Sequence, residues 1–367
     1  MKKVLFVASV PGHIIAFHLP YLKWLKENGY QVHIAVQGNR EIPYCDKKYD
    51  LPFERSPLKK NNIKAYLKLK KIMKVNEYDI IHCHTPVASI LTRLAARNSR
   101  KKKGTKVIYT AHGFHFFKGA PLINWLIYYP LEKLMAHYTD VLITINHEDY
   151  ERAKRFKAKQ IKYIPGVGID LKKFDLPQLN RDEKRKELGL SSDDIVLLSV
   201  GELNKNKNHE IIIRALAQIE NKDIKYCIAG IGSRQEYLVD LARRLHVETK
   251  VKFLGHRPDI AEVYQCVDIF CFPSLREGLP VSLMEAMASG LPCIASRIRG
   301  NTDLMRDGEG GILCNNNIKE YMNAIEYLVS HPALRNRMDG TNRESIKPYS
   351  LIRILKNTTD LYTSITR

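Results

Sequence analysis

Two glutamates, Glu277 and Glu285, lie eight residues apart and could hold the two ends of one extended polar ligand. An apolar run, Asp268–Phe272, precedes them and predicts a strand that ends in a turn. Pro280 suits the first position of a helix, and Gly290 suits the position just past its end. We therefore expect Glu277 in the loop before this helix and Glu285 about one and a half turns inside it.

The start of this helix also suits an anion. Free backbone N–H groups there, next to Gly278, favour a group such as a diphosphate. Either glutamate alone would be interpreted as a solvated residue of an ordinary strand–turn–helix unit. Residues 272–292, however, combine both carboxylates with the glycine and proline residues of a tight turn. We therefore interpret the whole segment as part of a ligand site.

Histidines form a second group with possible chemistry. His82 and His84 are two apart in a predicted strand, so their side chains face the same side and could ligate a metal ion. The alternative is one buried, hydrogen-bonded histidine with a neighbour at the strand end. The sequence has no Asp-x-Asp pair, which would suit a divalent cation. We expect neither a metal ion nor a cofactor.

The elements that must position these groups alternate between short apolar runs and longer amphipathic stretches. This alternation predicts βαβ units, and hence parallel sheets covered by helices on both faces. The predicted strands are Val4–Ala8, Val32–Val36, Ile80–His82, Val107–Thr110, Val141–Ile145, Ile161–Ile164, Ile195–Val200, Tyr226–Ala229, Val251–Leu254, Asp268–Phe272 and Pro292–Ala295. A helix is predicted over Leu19–Asn28, with Gly29 as its stop.

The pattern restarts after a proline- and glycine-rich turn near residue 166, which divides the chain into two domains. We expect an N-terminal domain over residues 1–172 and a C-terminal domain over residues 173–349, and a last helix near residues 350–367 could pack on either domain. Both domains are predicted to be doubly wound α/β folds. Because such sheets bind ligands at the carboxyl ends of their strands, a cleft between the domains is the expected site.

The seven cysteines are scattered without a Cys-x-x-Cys pair, which favours free thiols and a reducing, cytoplasmic setting. Residues 4–22 lack charged side chains and follow two lysines, a pattern similar to a signal peptide. Their compact apolar run is only strand-length, however, and prolines and a glycine follow it. We interpret this segment as the first strand followed by a loop that contains Gly12.

The net charge of +20 is uneven, because residues 1–170 hold 30 Lys and Arg against 13 Asp and Glu. Lys59–Lys74 alone contains seven lysines, with Ile63, Tyr66, Leu67, Ile72 and Met73 as its expected apolar face. An anionic membrane surface and nucleic acid are the two candidate partners for such a domain. We favour the membrane, because no nucleic-acid recognition module is present.

Once these motifs are assembled, the sequence resembles family 4 of the retaining glycosyltransferases. The phrase Glu277-Gly-Leu-Pro-x4-Glu285-Ala-Met resembles the family's E-x7-E signature. The likeness extends over nearly the whole chain, through Ile80–His84, Ala111-His112-Gly113, Gly201-Glu202-Leu203 with Lys207, Gly230-Ile231-Gly232 and Val251–Gly255. The resemblance implies the GT-B fold, in which two Rossmann-like domains face a cleft. The overall texture is most similar to bacterial enzymes that build capsule, exopolysaccharide or polyprenyl-diphosphate-linked oligosaccharides.

The resemblance also implies roles for the donor site. Glu285 would take the ribose hydroxyls of a nucleoside-diphosphate sugar, with UDP as the expected nucleotide. Glu277 would bind the transferred sugar, helped by the segment Gly278-Leu279-Pro280. Lys207 would neutralise the diphosphate, and His112 would lie at the sugar near its anomeric carbon.

Two further segments are implied to contact the donor. Gly12 would let the backbone approach the phosphates, and Gly255-His256-Arg257 would lie by the base. One position departs from the family pattern, because Glu202 stands where an arginine is usual. Lys205 is a possible substitute for the missing charge.

Residues 114–129 form an aromatic run, which either packs in the core or meets the acceptor. The resemblance implies transfer to a lipid-linked saccharide with retention. The basic charge of the first half adds the expectation that the enzyme works at the inner face of the cell membrane. A GT-B epimerase or phosphorylase is the alternative enzyme, and a basic nucleic-acid-binding protein is the alternative outside enzymes. A dinucleotide dehydrogenase is disfavoured, since Gln235 occupies the third glycine position after Gly230 and Gly232.

Overall fold

The computed structural model describes residues 1–54, 56 and 59–365. The chain divides into two compact units, Met1–Gly168 with Ile352–Arg367 and Ile169–Leu351. The first unit contains the strands β1 (Lys3–Val7), β2 (Gln31–Val36), β3 (Lys47–Asp50), β4 (Ile80–Cys83), β5 (Lys106–Ala111), β6 (Val141–Thr144) and β7 (Gln160–Tyr163). The second contains β8 (Ile195–Val200), β9 (Ile224–Ala229), β10 (Val251–Gly255), β11 (Ile269–Phe272), β12 (Cys293–Ser296) and β13 (Gly311–Cys314).

Helices connect these strands. The first unit has α1 (Pro11–Phe17), α2 (Leu19–Glu27), α3 (Asn61–Val75), α4 (Pro86–Ala95), α5 (Arg97–Lys103), α6 (Leu122–Ala136) and α7 (His147–Ala153). The second has α8 (Arg181–Glu187), α9 (Glu210–Leu216), α10 (Gln235–Arg244), α11 (Ile260–Gln265), α12 (Val281–Ala288), α13 (Asn301–Leu304), α14 (Ile318–Ser330) and α15 (Pro332–Ser345). The last helix, α16 (Leu351–Ile365), returns to the first unit.

Both sheets are parallel and doubly wound, as the sequence predicts. Their strand orders are β3-β2-β1-β4-β5-β6-β7 and β10-β9-β8-β11-β12-β13. In each sheet the order reverses once, between β1 and β4 in the first and between β8 and β11 in the second. The carboxyl ends of strands at such a reversal are where doubly wound sheets bind ligands. These two edges therefore position the candidate functional groups.

Successive strand residues point to opposite faces, so the first sheet has two cores. Leu5 and Val7 of β1 face a core covered by α3, α4 and α6, whereas Val4 and Phe6 face a core covered by α1, α2 and α16. Helix α16 contributes Ile354, Leu361 and Tyr362 to the second of these cores. The predicted last helix is confirmed, and it packs on the first unit.

Three sequence expectations are corrected by the structure. The sequence does not predict β3, which is mostly polar, or β13, which is a four-residue strand beginning with a glycine. Gly12 lies in α1 rather than in a loop, since Pro11 begins a helix there. The buried residues of α3 are Asn62, Ala65, Leu69 and Met73, while Ile63 and Leu67 are exposed.

A buried ion pair joins α4 to α6. Arg93 is fully buried and donates to Glu132 Oε2 at 2.9 Å, and its guanidinium lies 4.1 Å from the ring centroid of Tyr109. The hydroxyl of Tyr109 donates to the other carboxylate oxygen of Glu132 at 3.3 Å. Each charge is thus compensated only by groups inside the core.

We expect Arg93→Met to lower the free energy of unfolding by about 3–5 kcal/mol, because it leaves the Glu132 carboxylate buried without its cation. The double variant Arg93→Met/Glu132→Leu should recover most of this loss. Urea denaturation of the two variants and the unchanged chain measures the difference. A single variant as stable as the unchanged chain would contradict the assignment.

Candidate functional site

Two of the predicted donor-site residues, Lys207 and Glu277, lie at the edge of the second sheet where its strand order reverses. Lys207 follows β8 and Glu277 follows β11, and their side chains form an ion pair of 2.8 Å between Nζ and Oε1. The Lys207 ammonium also lies 4.6 Å from the ring centroid of Phe272, the last residue of β11. The structure therefore brings together Lys207, which is predicted to bind the diphosphate, and Glu277, which is predicted to bind the sugar. The two residues are 70 positions apart in sequence.

Hydrogen bonds hold the two loops against each other. Leu275 N–H donates to the carbonyl of Asn206 at 2.8 Å, and the Asn206 amide donates to the carbonyl of Arg276 at 3.0 Å. Lys207 N–H donates to the side chain of Asn204 at 3.0 Å. Because both loops are tied through backbone atoms, Lys207 and Glu277 have fixed starting points for their side chains.

The Gly-x-Gly turn after β9 packs directly on the loop after β8. A Cβ on Gly230 would lie 1.9 Å from the carbonyl oxygen of Gly201, and a Cβ on Gly232 would lie 2.5 Å from that of Leu203. On Gly201, a Cβ would lie 3.0 Å from Cε of Lys207. Close packing against backbone atoms therefore requires Gly230 and Gly232 and shapes the loop that carries Lys207.

Glu285 lies on the predicted helix, which begins at Val281 with Pro280 as the residue before it. The helix ends at Ala288, and Gly290 follows with a φ of 80°, as expected for a glycine stop. Tyr264 donates its hydroxyl to Glu285 Oε2 at 3.1 Å. Burial raises the pKa of Glu285 to about 7, against smaller opposing effects of Tyr264 and Lys173.

Arg299 and Gly300 support the loop that contains Glu277 and Gly278, and no sequence motif predicts either residue. Arg299 is 8% exposed and donates from Nε to the carbonyl of Glu277 at 3.2 Å. Gly300 has a φ of 80°, and a Cβ there would lie 2.4 Å from the carbonyl oxygen of Gly278. The Arg-Gly pair directly before α13 was the available signal, but nothing in one sequence connects it with residues 277–278.

We expect Gly300→Ala to weaken donor binding by about tenfold or more, because the added methyl group must displace the Gly278 carbonyl and strain its own backbone. Gly340→Ala is a matched control, since a Cβ at Gly340 has no atom within 4 Å. Calorimetric titration with UDP measures both affinities. Equal affinities for the two variants would contradict the role of Gly300.

The other predicted donor residues of the second unit include Gly255, His256 and Arg257, for which no contact with Lys207 is described. Gly255 ends β10 and accepts from Gly230 N–H at 2.7 Å, and His256 is exposed. Arg257 pairs with Asp259 and, at 2.8 Å, with Glu187. Glu202 and Lys205 are both exposed.

In the first unit, His112 belongs to a cluster of four histidines at the edge where that sheet's order reverses. His13 and His18 come after β1, His84 after β4 and His112 after β5. The nitrogen–nitrogen distances are 3.3 Å for His18 Nε2–His13 Nε2, for His13 Nε2–His112 Nε2 and for His84 Nδ1–His112 Nε2. One nitrogen from each of the four rings lies within 4.8 Å of the other three.

Burial keeps these rings neutral. It lowers the pKa of His13 to about 4 and those of His18, His84 and His112 well below their usual value, with further lowering of the latter three by neighbouring histidines. His82 lies outside the cluster, because its two ring nitrogens contact the hydroxyls of Tyr362 at 2.7 Å and Thr110 at 2.8 Å.

The aromatic run packs mostly in the core. Phe114 and Phe116 are buried, and Trp125, Tyr128 and Tyr129 of α6 pack against the same cluster. The opposite side of α6 is aliphatic and exposed, with 80% of Leu122, 57% of Ile123, 73% of Leu126 and 51% of Ile127 accessible. Among the described residues, no helix is both long enough and apolar enough to cross a membrane.

Comparisons with known proteins agree with this architecture. The family described as "Glycosyl transferases group 1" matches residues 180–345, and "Glycosyl transferase 4-like" matches residues 3–146. The Bacillus subtilis protein EpsD, named as a glycosyltransferase, is 41% identical over 99% of this chain and 97% of its own. The UDP-Gal:alpha-D-GlcNAc-diphosphoundecaprenol alpha-1,3-galactosyltransferase of Escherichia coli is 32% identical over 82% of this chain and 79% of its own.

The fold is also that of solved glycosyltransferase-like structures. The Anabaena protein HepE, in complex with UDP and glucose, superimposes with a TM-score of 0.81 at 19% identity and covers 99% of this chain and 100% of its own. The protein is therefore a glycosyltransferase with the two-domain GT-B fold. The chain belongs to glycosyltransferase family 4, which confirms the family that the sequence motifs indicate.

Proposed function

We propose that this glycosyltransferase moves a sugar, with retention, from a UDP-linked donor to a lipid-linked saccharide in exopolysaccharide or capsule synthesis. The observation that carries the proposal is the Lys207–Glu277 ion pair at the edge of the second sheet where the strand order reverses. The partly buried Glu285 lies on the helix that follows the loop of Glu277. Support for the donor comes from the UDP and glucose in the HepE structure. The name of the Escherichia coli relative supports a polyprenyl-diphosphate acceptor.

The proposed roles follow from charge. A donor diphosphate competes with Glu277 for the Lys207 ammonium, and the released Glu277 carboxylate accepts hydroxyl groups of the transferred sugar. Glu285 accepts the ribose hydroxyls, and the donor-binding segment also includes Gly278, Leu279 and Pro280. His112 of the first unit acts on the transferred sugar near the anomeric carbon. Gly12, Gly255, His256 and Arg257 remain proposed donor contacts.

The chemical step is a front-side displacement. The acceptor oxygen forms a bond to the anomeric carbon while the bond from that carbon to the diphosphate oxygen breaks on the same face. The acceptor hydroxyl gives its proton to the departing diphosphate, so no protein nucleophile is needed. The enzyme contributes positioning and the stabilisation of developing charge by Lys207.

A direct assay tests the reaction. The protein is incubated with a panel of nucleotide sugars and a polyprenyl-diphosphate N-acetylhexosamine, and the products are weighed by mass spectrometry. The anomeric configuration of the new linkage is read by NMR and compared with that of the donor. We expect one extended lipid product per UDP released, with the donor configuration kept. Sugar epimerisation without acceptor, or an inverted linkage, would contradict the proposal.

The acceptor is proposed to be reached at an anionic membrane surface on the cytoplasmic side. Helices α3, α4 and α6 cover one face of the first sheet, where α4 contacts both neighbours. This face exposes the aliphatic side of α6, Ile63 and Leu67 of α3, and the lysines of α3. The exposed lysines of α5 follow α4 directly in the chain. Two effects then favour binding to the membrane. The aliphatic side chains insert into it, and each lysine near the anionic surface contributes about 1 kcal/mol of attraction.

We expect Ile123→Glu/Leu126→Glu to lower binding to vesicles rich in anionic lipid by about tenfold or more, because two apolar side chains become anionic. Ile352→Glu is a matched control, since Ile352 is 78% exposed on α16, which covers the opposite face of the same sheet. Co-sedimentation at two salt concentrations measures the binding. Tight binding to duplex DNA but not to vesicles would contradict the membrane proposal.

A further inference from the structure

Hydrogen bonds among the rings cannot account for every short contact in the cluster of His13, His18, His84 and His112. Its nitrogens form a chain of three contacts of 3.3 Å, from His18 through His13 and His112 to His84. A neutral imidazole carries one proton on its two nitrogens. Donors must alternate with acceptors along the chain, and each proton serves one contact, so at most two of the three contacts are hydrogen bonds.

The surroundings of the cluster offer little compensation. His18 and His84 are buried, and Nε2 of His84 has no hydrogen-bond partner. The rings pack on one another, with 4.0 Å between the ring centroids of His18 and His84 and 4.5 Å between those of His13 and His112. At least one of the three short nitrogen contacts is therefore left without a hydrogen bond, beside two rings that are buried. Such an arrangement is unfavourable unless another group satisfies it.

The same geometry suits a tetrahedral metal ion. Zinc binds imidazole nitrogen at about 2.0–2.1 Å, so two nitrogens of a regular tetrahedron lie about 3.3–3.4 Å apart. Three of the observed separations are 3.3 Å, and ring rotations can close the longer ones, which are at most 4.8 Å. Imidazole ligands favour zinc and similar transition-metal ions over magnesium or calcium.

The four ligands lie on three segments that are anchored separately. The backbone N–H of His18, at the junction of α1 and α2, donates to the carbonyl of Ile14 at 2.8 Å. The backbone N–H of His84 donates to the carbonyl of Val7, also at 2.8 Å. His112 directly follows β5. Because the backbone fixes these positions before any ion binds, little ordering is required on binding.

We propose that His13, His18, His84 and His112 form a binding site for one divalent transition-metal ion of the zinc class, which ties the α1–α2 segment to the ends of β4 and β5. This site departs from the expectation of no metal ion, which considered carboxylate pairs and the His82–His84 pair. It does not rest on the proposed sugar transfer, since metal content is measured without substrate. No described hydrogen bond uses Nδ1 of His112, so that nitrogen stays available for a hydrogen bond when Nε2 binds the ion.

Metal binding by the full chain is the first test. The protein is purified without a polyhistidine tag, stripped with a chelator and dialysed against Zn²⁺, and bound metal is measured by mass spectrometry. We expect one tightly bound zinc ion per chain and a melting temperature that rises with zinc concentration. The absence of a stoichiometric ion would overturn the proposal.

Two measurements locate the ion. His18→Gln and His84→Gln should each weaken zinc binding at least about tenfold, whereas His33→Gln should retain it. His33 is a matched control, because it is buried in the same unit and contacts Tyr78 at 2.8 Å, outside the cluster. X-ray absorption of the zinc-loaded unchanged chain, which requires no variant to fold, should show four imidazole nitrogens. Unaltered binding by both cluster variants, or a shell of oxygen or sulfur ligands, would overturn the proposal.

Discussion

Replacing Lys207 by methionine is expected to lower kcat by about 10²–10³-fold, the usual effect of losing one preorganised group that stabilises transition-state charge. In the proposed reaction the diphosphate gains negative charge as the sugar departs, and the loop after β8 places the Lys207 ammonium beside Glu277. Methionine keeps the length and the packing on Phe272 but removes the charge. Steady-state kinetics with saturating acceptor measure the change.

Two variants make this prediction decisive. Lys205→Met is the matched control, because Lys205 lies on the same loop, is exposed and would supply the charge if it replaced the arginine that Glu202 displaces. We expect its kcat to stay near that of the unchanged enzyme. Lys207→Met/Glu277→Gln also removes the carboxylate that binds the sugar in the proposed function, so we expect its kcat to be no higher than that of Lys207→Met. An equal loss in both single lysine variants would assign the charge to the loop rather than to Lys207.

Glu285→Gln is expected to change donor affinity and stability in opposite directions. The pKa of Glu285 is raised to about 7 from 4.5, so the folded chain holds its proton between these pH values while the unfolded chain has lost it. The free energy of unfolding therefore falls as the pH rises through this window. Glutamine does not ionise, so at pH 8 the variant should be more stable by up to about 3 kcal/mol, and near pH 4 this advantage should vanish.

Donor binding should respond in the opposite sense. A carboxylate accepts two ribose hydroxyls more strongly than an amide does, and we expect the variant to lose about tenfold or more in UDP affinity at pH 8. The unchanged enzyme should itself bind UDP less tightly as the pH falls below 7, because the carboxylate takes up a proton.

Calorimetric titrations and melting curves at pH 6 and 8 measure the two effects of Glu285→Gln. The exposed Glu326→Gln, in the same unit, is the control. A variant that is destabilised at pH 8 and binds UDP normally would show that Glu285 has a structural role instead.

The sequence predicts the alternation of strands and helices well, because buried parallel strands are continuous apolar runs. Helix α16 and the stop at Gly290 follow from equally local signals. The buried faces of α3 and α6 do not follow from such signals. Each helix carries apolar side chains on more than one side, and hydrophobicity alone does not tell which side is buried. On α6, the aromatic residues pack inward and the aliphatic ones remain exposed.

The candidate site is predictable only in part. Glu277, Glu285 and Lys207 belong to motifs whose spacing along the chain carries the information. The histidine cluster joins four positions spread from residue 13 to residue 112, and its assembly depends on the order of β1, β4 and β5 in the sheet. Arg299 and Gly300 support residues 277–278 through backbone atoms, which leave no recognisable motif.

The return of α16 to the first unit has a consequence for how the protein is made. The core on one face of the first sheet needs Ile354, Leu361 and Tyr362, so this unit stays incomplete until residues 352–365 have been synthesised. The second unit, Ile169–Leu351, is continuous and can fold earlier, although it begins later in the sequence. The second unit can therefore complete its fold before the first one does. Until residues 352–365 are available, one apolar face of the first sheet stays partly uncovered.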